Sequence, residues 1–294
     1  MDYKEKLKNY AETVESALDN YLPVKEGPQS EIYQAMRYSL LGGGKRIRGV
    51  LTLVCCELAG GSIGKALPFA AAIEMVHAYS LIHDDLPAMD NDDMRRGKPS
   101  NHIAFGEAMA ILAGDGLLGE AMNVILKNVD GCDTPSAWKA MKVLAKSYGP
   151  EGMLGGQVID MKSENKQISY DELICLQSHK TGALIKASCV MGAIMGGADE
   201  KLIEKTGIYA EKIGLAFQIK DDILDVESTD EQLGKNVGSD AEQGKSTFVS
   251  IFGLEEAKNK VAILSKEAEE LFQGKSDAEN FLKETAKYLA TRKN

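Results

Sequence analysis

Apolar positions recur along this chain at spacings of three and four, and period-two alternation is scarce. Over residues 2–20 the apolar series is Tyr3, Leu7, Tyr10, Val14 and Leu18. Pro28-Gln29 precedes a second segment, 30–41, which stops at Gly42-Gly43-Gly44; a third runs from Lys45 to about Leu58 and ends at Gly60-Gly61. Residues 64–86 are apolar almost all round, with Ala70, Ala71, Ala72, Ile73, Met75, Val76, Leu81 and Ile82, as a helix enclosed by other helices must be. Segments at 103–128, 136–161, 170–196, 200–228, 246–271 and 276–291 follow, separated by Gly, Pro and Asp. The pattern predicts about ten helices and no strand, hence an all-α bundle. No Pro/Ser/Gly linker divides it, so residues 1–294 are expected to form a single domain.

The apolar segment 64–86 ends in a dense acidic stretch, Ala78 to Gly97, carrying Asp84, Asp85, Asp90, Asp92 and Asp93 and then Arg95 and Arg96. Carboxylates at the C-terminal end of an apolar helix are opposed by the lost hydration and by the helix dipole. A divalent cation removes both objections, and Mg²⁺ binds through one or two carboxylates while water and phosphate oxygens complete its shell. A solvated acidic loop is the plainer explanation for one such run, but the chain carries two. The segment Phe217–Asp225 ends a second helical stretch in Asp221, Asp222 and Asp225, and Asp221 and Asp225 lie one turn apart on one face.

The bulk properties narrow the classes. The chain is 44% hydrophobic and 27% charged, with a mean hydropathy of −0.21, and is long enough to bury a sizeable core. A net charge of −10 disfavours nucleic-acid binding, so an anionic ligand needs local cations. No run of about 18 apolar residues suggests a transmembrane segment, and the charged start is unlike a signal peptide. Cys55, Cys56, Cys132, Cys175 and Cys189 have neither metal-ligand nor disulfide spacing and read as reduced thiols of a cytoplasmic protein.

Three motif matches fail on context. Gly114-Asp115-Gly116-Leu117-Leu118-Gly119 fits a dinucleotide fingerprint, but a helical pattern precedes it where a strand is required, so small-residue helix packing is expected. Gly244-Lys245-Ser246-Thr247 resembles the end of a P-loop, yet position 239 is Ser and Gly238 is one residue early. Asp90-Asn91-Asp92 opens like an EF-hand but places Met94 and Arg95 where an oxygen ligand and glycine belong. More useful are the cations. Lys45 and Arg48 follow the triple glycine in the first turn of the expected helix, a suitable cradle for a diphosphate. Lys180-Thr181-Gly182 interrupts a helical segment, Lys235 follows the second acidic cluster, and His77 lies two turns before Asp84.

Taken in order, the stretch 42–48, the stretch 75–102, Gly155-Gly156-Gln157, the stretch 179–184, the stretch 217–225 and the stretch 244–248 resemble the trans-isoprenyl diphosphate synthases, most closely the bacterial farnesyl diphosphate synthases. The likeness runs from about residue 30 to 255, and the paired acidic motifs are specific. It implies an all-α isoprenyl-synthase bundle around a central cavity, usually a homodimer. It implies that Asp84, Asp90, Asp221 and Asp225 hold several Mg²⁺ ions, with Mn²⁺ as a substitute, and that Asp85 belongs to the catalytic set. Arg95, Lys180 and Lys235 would grip the allylic diphosphate, with Thr181 and Gln218 lining the developing cation; Lys45, Arg48, His77 and Arg96 would hold isopentenyl diphosphate. Gly49 and Lys220 depart from the family pattern, where proline and glutamine or an apolar residue are common. Tyr79, five residues before Asp84, with the two-residue insertion Pro87-Ala88, goes with fifteen-carbon products in that family. Tyr79 and Ser80 are therefore the expected floor. Geranylgeranyl diphosphate synthase, a silent partner subunit and a terpene cyclase or head-to-head condensing enzyme are the rival readings; both acidic motifs being intact argues against a silent subunit.

Overall fold

The three-and-four spacing becomes helix across the residues that the computed structural model describes, 2–129, 134–164, 166, 168–227 and 246–292. In chain order these are α1 (Tyr3–Tyr21), α2 (Ser30–Leu40), α3 (Ile47–Leu58), α4 (Ile63–Asp84), α5 (Asn101–Phe105), α6 (Glu107–Asn128) and α7 (Thr134–Tyr148). They continue as α8 (Met153–Ser163), α9 (Tyr170–Gln177), α10 (Ala183–Met195), α11 (Glu200–Glu227), α12 (Phe248–Phe252), α13 (Leu254–Glu270) and α14 (Asp277–Thr291). A π-helical turn, Ser178–Gly182, joins α9 to α10. The only strands among the described residues are β1 (Met94–Arg95) and β2 (Lys98–Pro99), an antiparallel pair.

Expected helices that prove to be two are divided at glycines. Gly106 (φ +86°) separates α5 from α6, and Gly253 (φ +82°) separates α12 from α13. Both are left-handed positions that glycine occupies without a Cβ clash, so the apolar period runs on while the backbone turns. The 136–161 segment breaks at Gly149–Gly152 around Pro150, giving α7 and α8. At the start of α3, Arg46 takes a left-handed conformation (φ +51°), so the helix begins at Ile47 and Lys45 precedes its first turn.

The core forms around α4, which packs against α3, α6 and α10 and is buried along most of its length, as its all-round apolar pattern requires. Its far end delivers Asp84. On the other side α10, buried almost throughout, packs against α3, α7 and α11. The α3–α10 contact is very close. A methyl group at Gly192 would lie 2.1 Å from the Thr52 carbonyl oxygen, and one at Gly196 would lie 2.4 Å from that of Cys56.

In α6 the dinucleotide-like glycines are packing residues in part: a methyl group at Gly114 would strike the His83 ring, and one at Gly116 the Met36 sulfur, whereas Gly119 has open space. By length and composition α6 also qualifies as a membrane span, with a mean hydropathy of 1.4 over its best window. Asp115 and Glu120 hid this from a search for unbroken apolar runs. Ala110, Ala113, Leu117 and Ala121 nevertheless bury one of its faces in the protein core.

Gly192→Ala should destabilise the fold by about 1–3 kcal/mol, because neither backbone can withdraw without moving a core helix. Urea unfolding of the variant checks this, and an unchanged midpoint with an unchanged slope would contradict the close α3–α10 contact.

Candidate active site

Asp84 is the last residue of α4 and Asp85 its C-cap, so both stand where the helix dipole presents negative charge. The backbone then folds back: the Asp90 amide donates to the Asp84 carbonyl at 2.8 Å, which brings Asp90 beside Asp84. Asp85 points elsewhere. It is buried and receives the Arg95 guanidinium, with Nε at 2.8 and 2.9 Å from its two oxygens. Asp92 is a second partner of Arg95 at 3.5 Å. The β1–β2 hairpin sets up this clamp through a two-residue turn, Arg96-Gly97, with both φ angles positive. Arg95 lies before the turn and Arg96 in it, where Arg96 donates to the Gly43 carbonyl. Gly44 (φ +124°) has no side chain to block the Arg96 guanidinium.

The triple-glycine loop thus meets Arg96, and α3 adds Arg48, while the Lys45 ammonium sits 5.7 Å from the centroid of the Tyr288 ring on α14. Sequence reading missed what holds this basic group in place. The buried Arg46 bonds the Leu40 carbonyl at 2.7 Å and Glu15 at 3.2 Å, and lies 3.8 Å from Glu74. Glu74, itself buried in α4, accepts the Gly49 amide at 2.9 Å and so caps α3 from another helix. A lone carboxylate inside the all-apolar 64–86 segment was the available signal. Among the described residues these partners do not fully satisfy Arg48 and leave positive charge in excess around it. Burial pushes Arg48 below its usual range, and its Nε is buried with no hydrogen-bond partner. Burial, then Arg48, Arg96, Arg95 and Arg46, hold His77 well below the usual histidine range, so its ring is neutral at pH 7. An anion bound beside Arg48 and His77 would relieve this excess.

Opposite, the π turn carries Lys180 and Thr181, where the sequence placed a weakened helix. Gly156 of α8 and Gly214 of α11 have no side chains to hold the turn away: a methyl group at Gly156 would meet the Lys180 backbone at 2.2 Å. Lys180 pairs with Asp160 at 2.5 Å, a residue not foreseen although it lies one turn beyond Gln157. Burial opposes its charge, but Asp160 and then Asp84 outweigh burial and raise its pKa, so Lys180 stays protonated.

On α11, Asp221 pairs with Arg292 just beyond the end of α14, and Arg292 also donates to the Phe217 carbonyl at 3.2 Å and stacks on the Phe217 ring. This C-terminal arginine is another partner the sequence did not reveal. Asp225 is buried on the same face, and Gln218 bonds Thr181. Lys235 lies outside the described residues, as do Gly244 and Lys245.

Below the Asp84 mouth lies a cavity of about 390 Å³ reached by Arg48, His77, Lys180 and Thr181. Its walls are largely apolar, including Leu81, Leu86, Ile111, Met153 and Leu184, and Ala88 of the Pro87-Ala88 insertion lines it too. Tyr79 and Ser80 both face this space, as the helix geometry predicted. The Tyr79 ring is 4% exposed and packs edge-on against His83, with centroids 5.7 Å apart. His83 is in turn fixed by the Ile111 carbonyl, 3.1 Å from its Nε2.

Asp84 has the chemistry of a cation ligand. Burial pushes its pKa up to about 6; Lys180 opposes that, and Asp90 adds to it. No closed group of three metal-binding side chains forms among the described residues. Asp84 and Asp90 instead suit Mg²⁺, which takes few carboxylates and leaves positions for phosphate oxygens. In metal-free protein the folded state keeps a proton on Asp84 between pH 3.8 and about 6 that the unfolded chain has lost, so this group's contribution to stability falls as pH rises through that window. In EDTA, Asp84→Asn should therefore gain about 3 kcal/mol over wild type at pH 7 and little at pH 4. Urea titrations at both pH values test this; equal stability at pH 7 would contradict it.

Comparison with known proteins agrees with this geometry. A family model described as polyprenyl synthetase matches residues 29–288. A farnesyl diphosphate synthase of Geobacillus stearothermophilus is 49% identical, over 87% of this chain and 86% of its own. A geranylgeranyl diphosphate synthase of Cyanophora paradoxa is 48% identical, over 88% of this chain and 86% of its own. A crystal structure of an FPP/GFPP synthase from Zymomonas mobilis superposes with a TM-score of 0.87 at 35% identity, covering 98% of both chains. With the matched region taking in both acidic clusters and the basic turn, the chain belongs to the polyprenyl synthetase family.

Proposed function

We propose that this prenyltransferase is a farnesyl diphosphate synthase, joining isopentenyl diphosphate head-to-tail to dimethylallyl and then geranyl diphosphate. The observation that carries the reading is the cavity itself: a polar mouth at Asp84, Arg48, His77 and Lys180 above apolar walls that reach Tyr79. Asp84 and Asp90 on one side, with Asp221 and Asp225 on the other, would hold several Mg²⁺ ions, and Mn²⁺ in their place. When bound, the metal neutralises charge on the departing diphosphate. Lys180, Arg95 and Lys235 orient that diphosphate so that its carbon–oxygen bond ionises toward the cavity. Arg48, Lys45, Arg96 and the neutral His77 hold isopentenyl diphosphate with its double bond facing the allylic carbon. A carbon–carbon bond forms as the carbon–oxygen bond is lost, and a proton passes to the departing diphosphate. The apolar walls keep water from the cation. Asp85 serves indirectly, by fixing Arg95.

Chain growth ends where Tyr79 and His83 close the cavity. The alternative product, geranylgeranyl diphosphate, is supported by the Cyanophora relative and would require a floor beyond Tyr79. Exposed Ile103, Ile111, Leu112 and Leu126 on α5 and α6 support a homodimer, here taken to be cytoplasmic.

Incubation with isopentenyl and dimethylallyl diphosphates and Mg²⁺, followed by chain-length analysis, tests the reading. Wild type should stop chiefly at fifteen carbons, chelator should abolish turnover, and Tyr79→Ala should shift products to twenty carbons and beyond. Mainly twenty-carbon wild-type product would favour the geranylgeranyl reading; no condensation would favour a silent subunit.

A further inference from the structure

Asp222 is the middle carboxylate of the second acidic cluster, and its environment differs from that of Asp221. It is 3% exposed and is met by donors from three elements. The Phe248 amide, at the start of α12, donates to its Oδ2 at 2.8 Å. Gln177, at the end of α9, donates its Nε2 to the same oxygen at 3.4 Å. Gln218, one turn earlier on α11, donates its Nε2 to Oδ1 at 3.1 Å. The Oε1 of Gln218 then receives the Thr181 hydroxyl at 2.9 Å.

The direction of each bond in this relay is fixed by chemistry. An ionised carboxylate only accepts, so Gln218 must turn its NH₂ group toward Asp222 and its carbonyl toward Thr181. A carbonyl oxygen only accepts, so Thr181 must spend its proton on Gln218. Thr181 borders both this polar pocket and the central cavity. With its proton committed behind it, the oxygen lone pairs remain for the cavity side.

We infer that Asp222 is a positioning residue for the condensation: through Gln218 it orients the Thr181 hydroxyl so that lone pairs, rather than a proton, face the cationic carbon. This rests on the prenyl-transfer reading above and extends it to a carboxylate held by Phe248, Gln177 and Gln218. A dipole held in place before reaction stabilises developing charge without reorganising, and reversing it replaces attraction by repulsion.

Asp222→Asn reverses the relay while preserving shape. The asparagine oxygen is claimed by the Phe248 and Gln177 donors, which leaves its NH₂ group facing Gln218. Gln218 must then flip, present its own NH₂ to the Thr181 oxygen and turn the hydroxyl proton toward the cavity. Restoring the direction needs an acceptor at position 218 that has no donor face. Asp222→Asn/Gln218→Glu supplies it, exchanging an amide–carboxylate pair for a carboxylate–amide pair of the same size.

The experiment is steady-state kinetics of both variants with dimethylallyl and isopentenyl diphosphates across a Mg²⁺ titration, with circular dichroism and thermal melts as folding controls. Asp222→Asn should lower kcat about 10- to 100-fold with both KM values and the half-saturating Mg²⁺ within about twofold of wild type. The double variant should recover to within about threefold of wild-type kcat. The inference is overturned by a single variant with wild-type kcat, by a double variant no better than the single, or by a loss that follows a raised Mg²⁺ requirement, which would make Asp222 a metal ligand. Wild-type protein that performs no condensation would overturn the functional reading and this inference together.

Discussion

Negative charge at the end of a buried helix is the constraint on which this architecture depends. The α4 helix must be apolar all round to sit between α3, α6 and α10, yet it ends in Asp84 and Asp85 at the negative pole of its dipole. The fold resolves the two carboxylates differently. Asp85 is neutralised internally by Arg95. Asp84 is buried beside Asp90 and keeps a pKa raised to about 6, even with Lys180 opposing the shift. Adjacent residues therefore separate a structural ion pair from the carboxylate proposed as a metal ligand.

The same division recurs in the rest of the site. Arg46 is consumed by Glu15, Leu40 and Glu74, whereas its neighbour Arg48 has a buried Nε with no partner. Asp222 is consumed by Gln177, Gln218 and Phe248. Asp221 holds Arg292, which stands where a cation would compensate the carboxylate. Residues satisfied inside the protein set the geometry of the site, and in the proposed function their neighbours bind diphosphate and metal.

This division explains what could be read from the sequence. Helical spacing gave the bundle, because α4, α10 and α11 keep their period over many turns. It ran across Gly106 and Gly253, since a left-handed glycine leaves no trace in an apolar pattern. The helix geometry placed Tyr79 and Ser80 on the cavity, and the weakened helix at Gly182 marked the π turn. Glu74, Asp160 and Arg292 were missed for one reason: each acts on a residue 20 or more positions away, on another element. Local pattern registers the charge but not its partner. The start of α3 was placed two residues early, at Lys45, because nothing in the sequence marks Arg46 as left-handed.

The proposed function requires that the two acidic clusters, on separate helices, act together on cations brought in with a diphosphate. Counting Mn²⁺ bound by electron paramagnetic resonance, with and without an unreactive allylic thiodiphosphate, tests it directly. Weak binding without the analogue, tight binding with it, and loss of the tight ions in either Asp84→Ala or Asp221→Ala is the predicted result. Mn²⁺ binding that is indifferent to the analogue, or that survives both substitutions, would contradict the account.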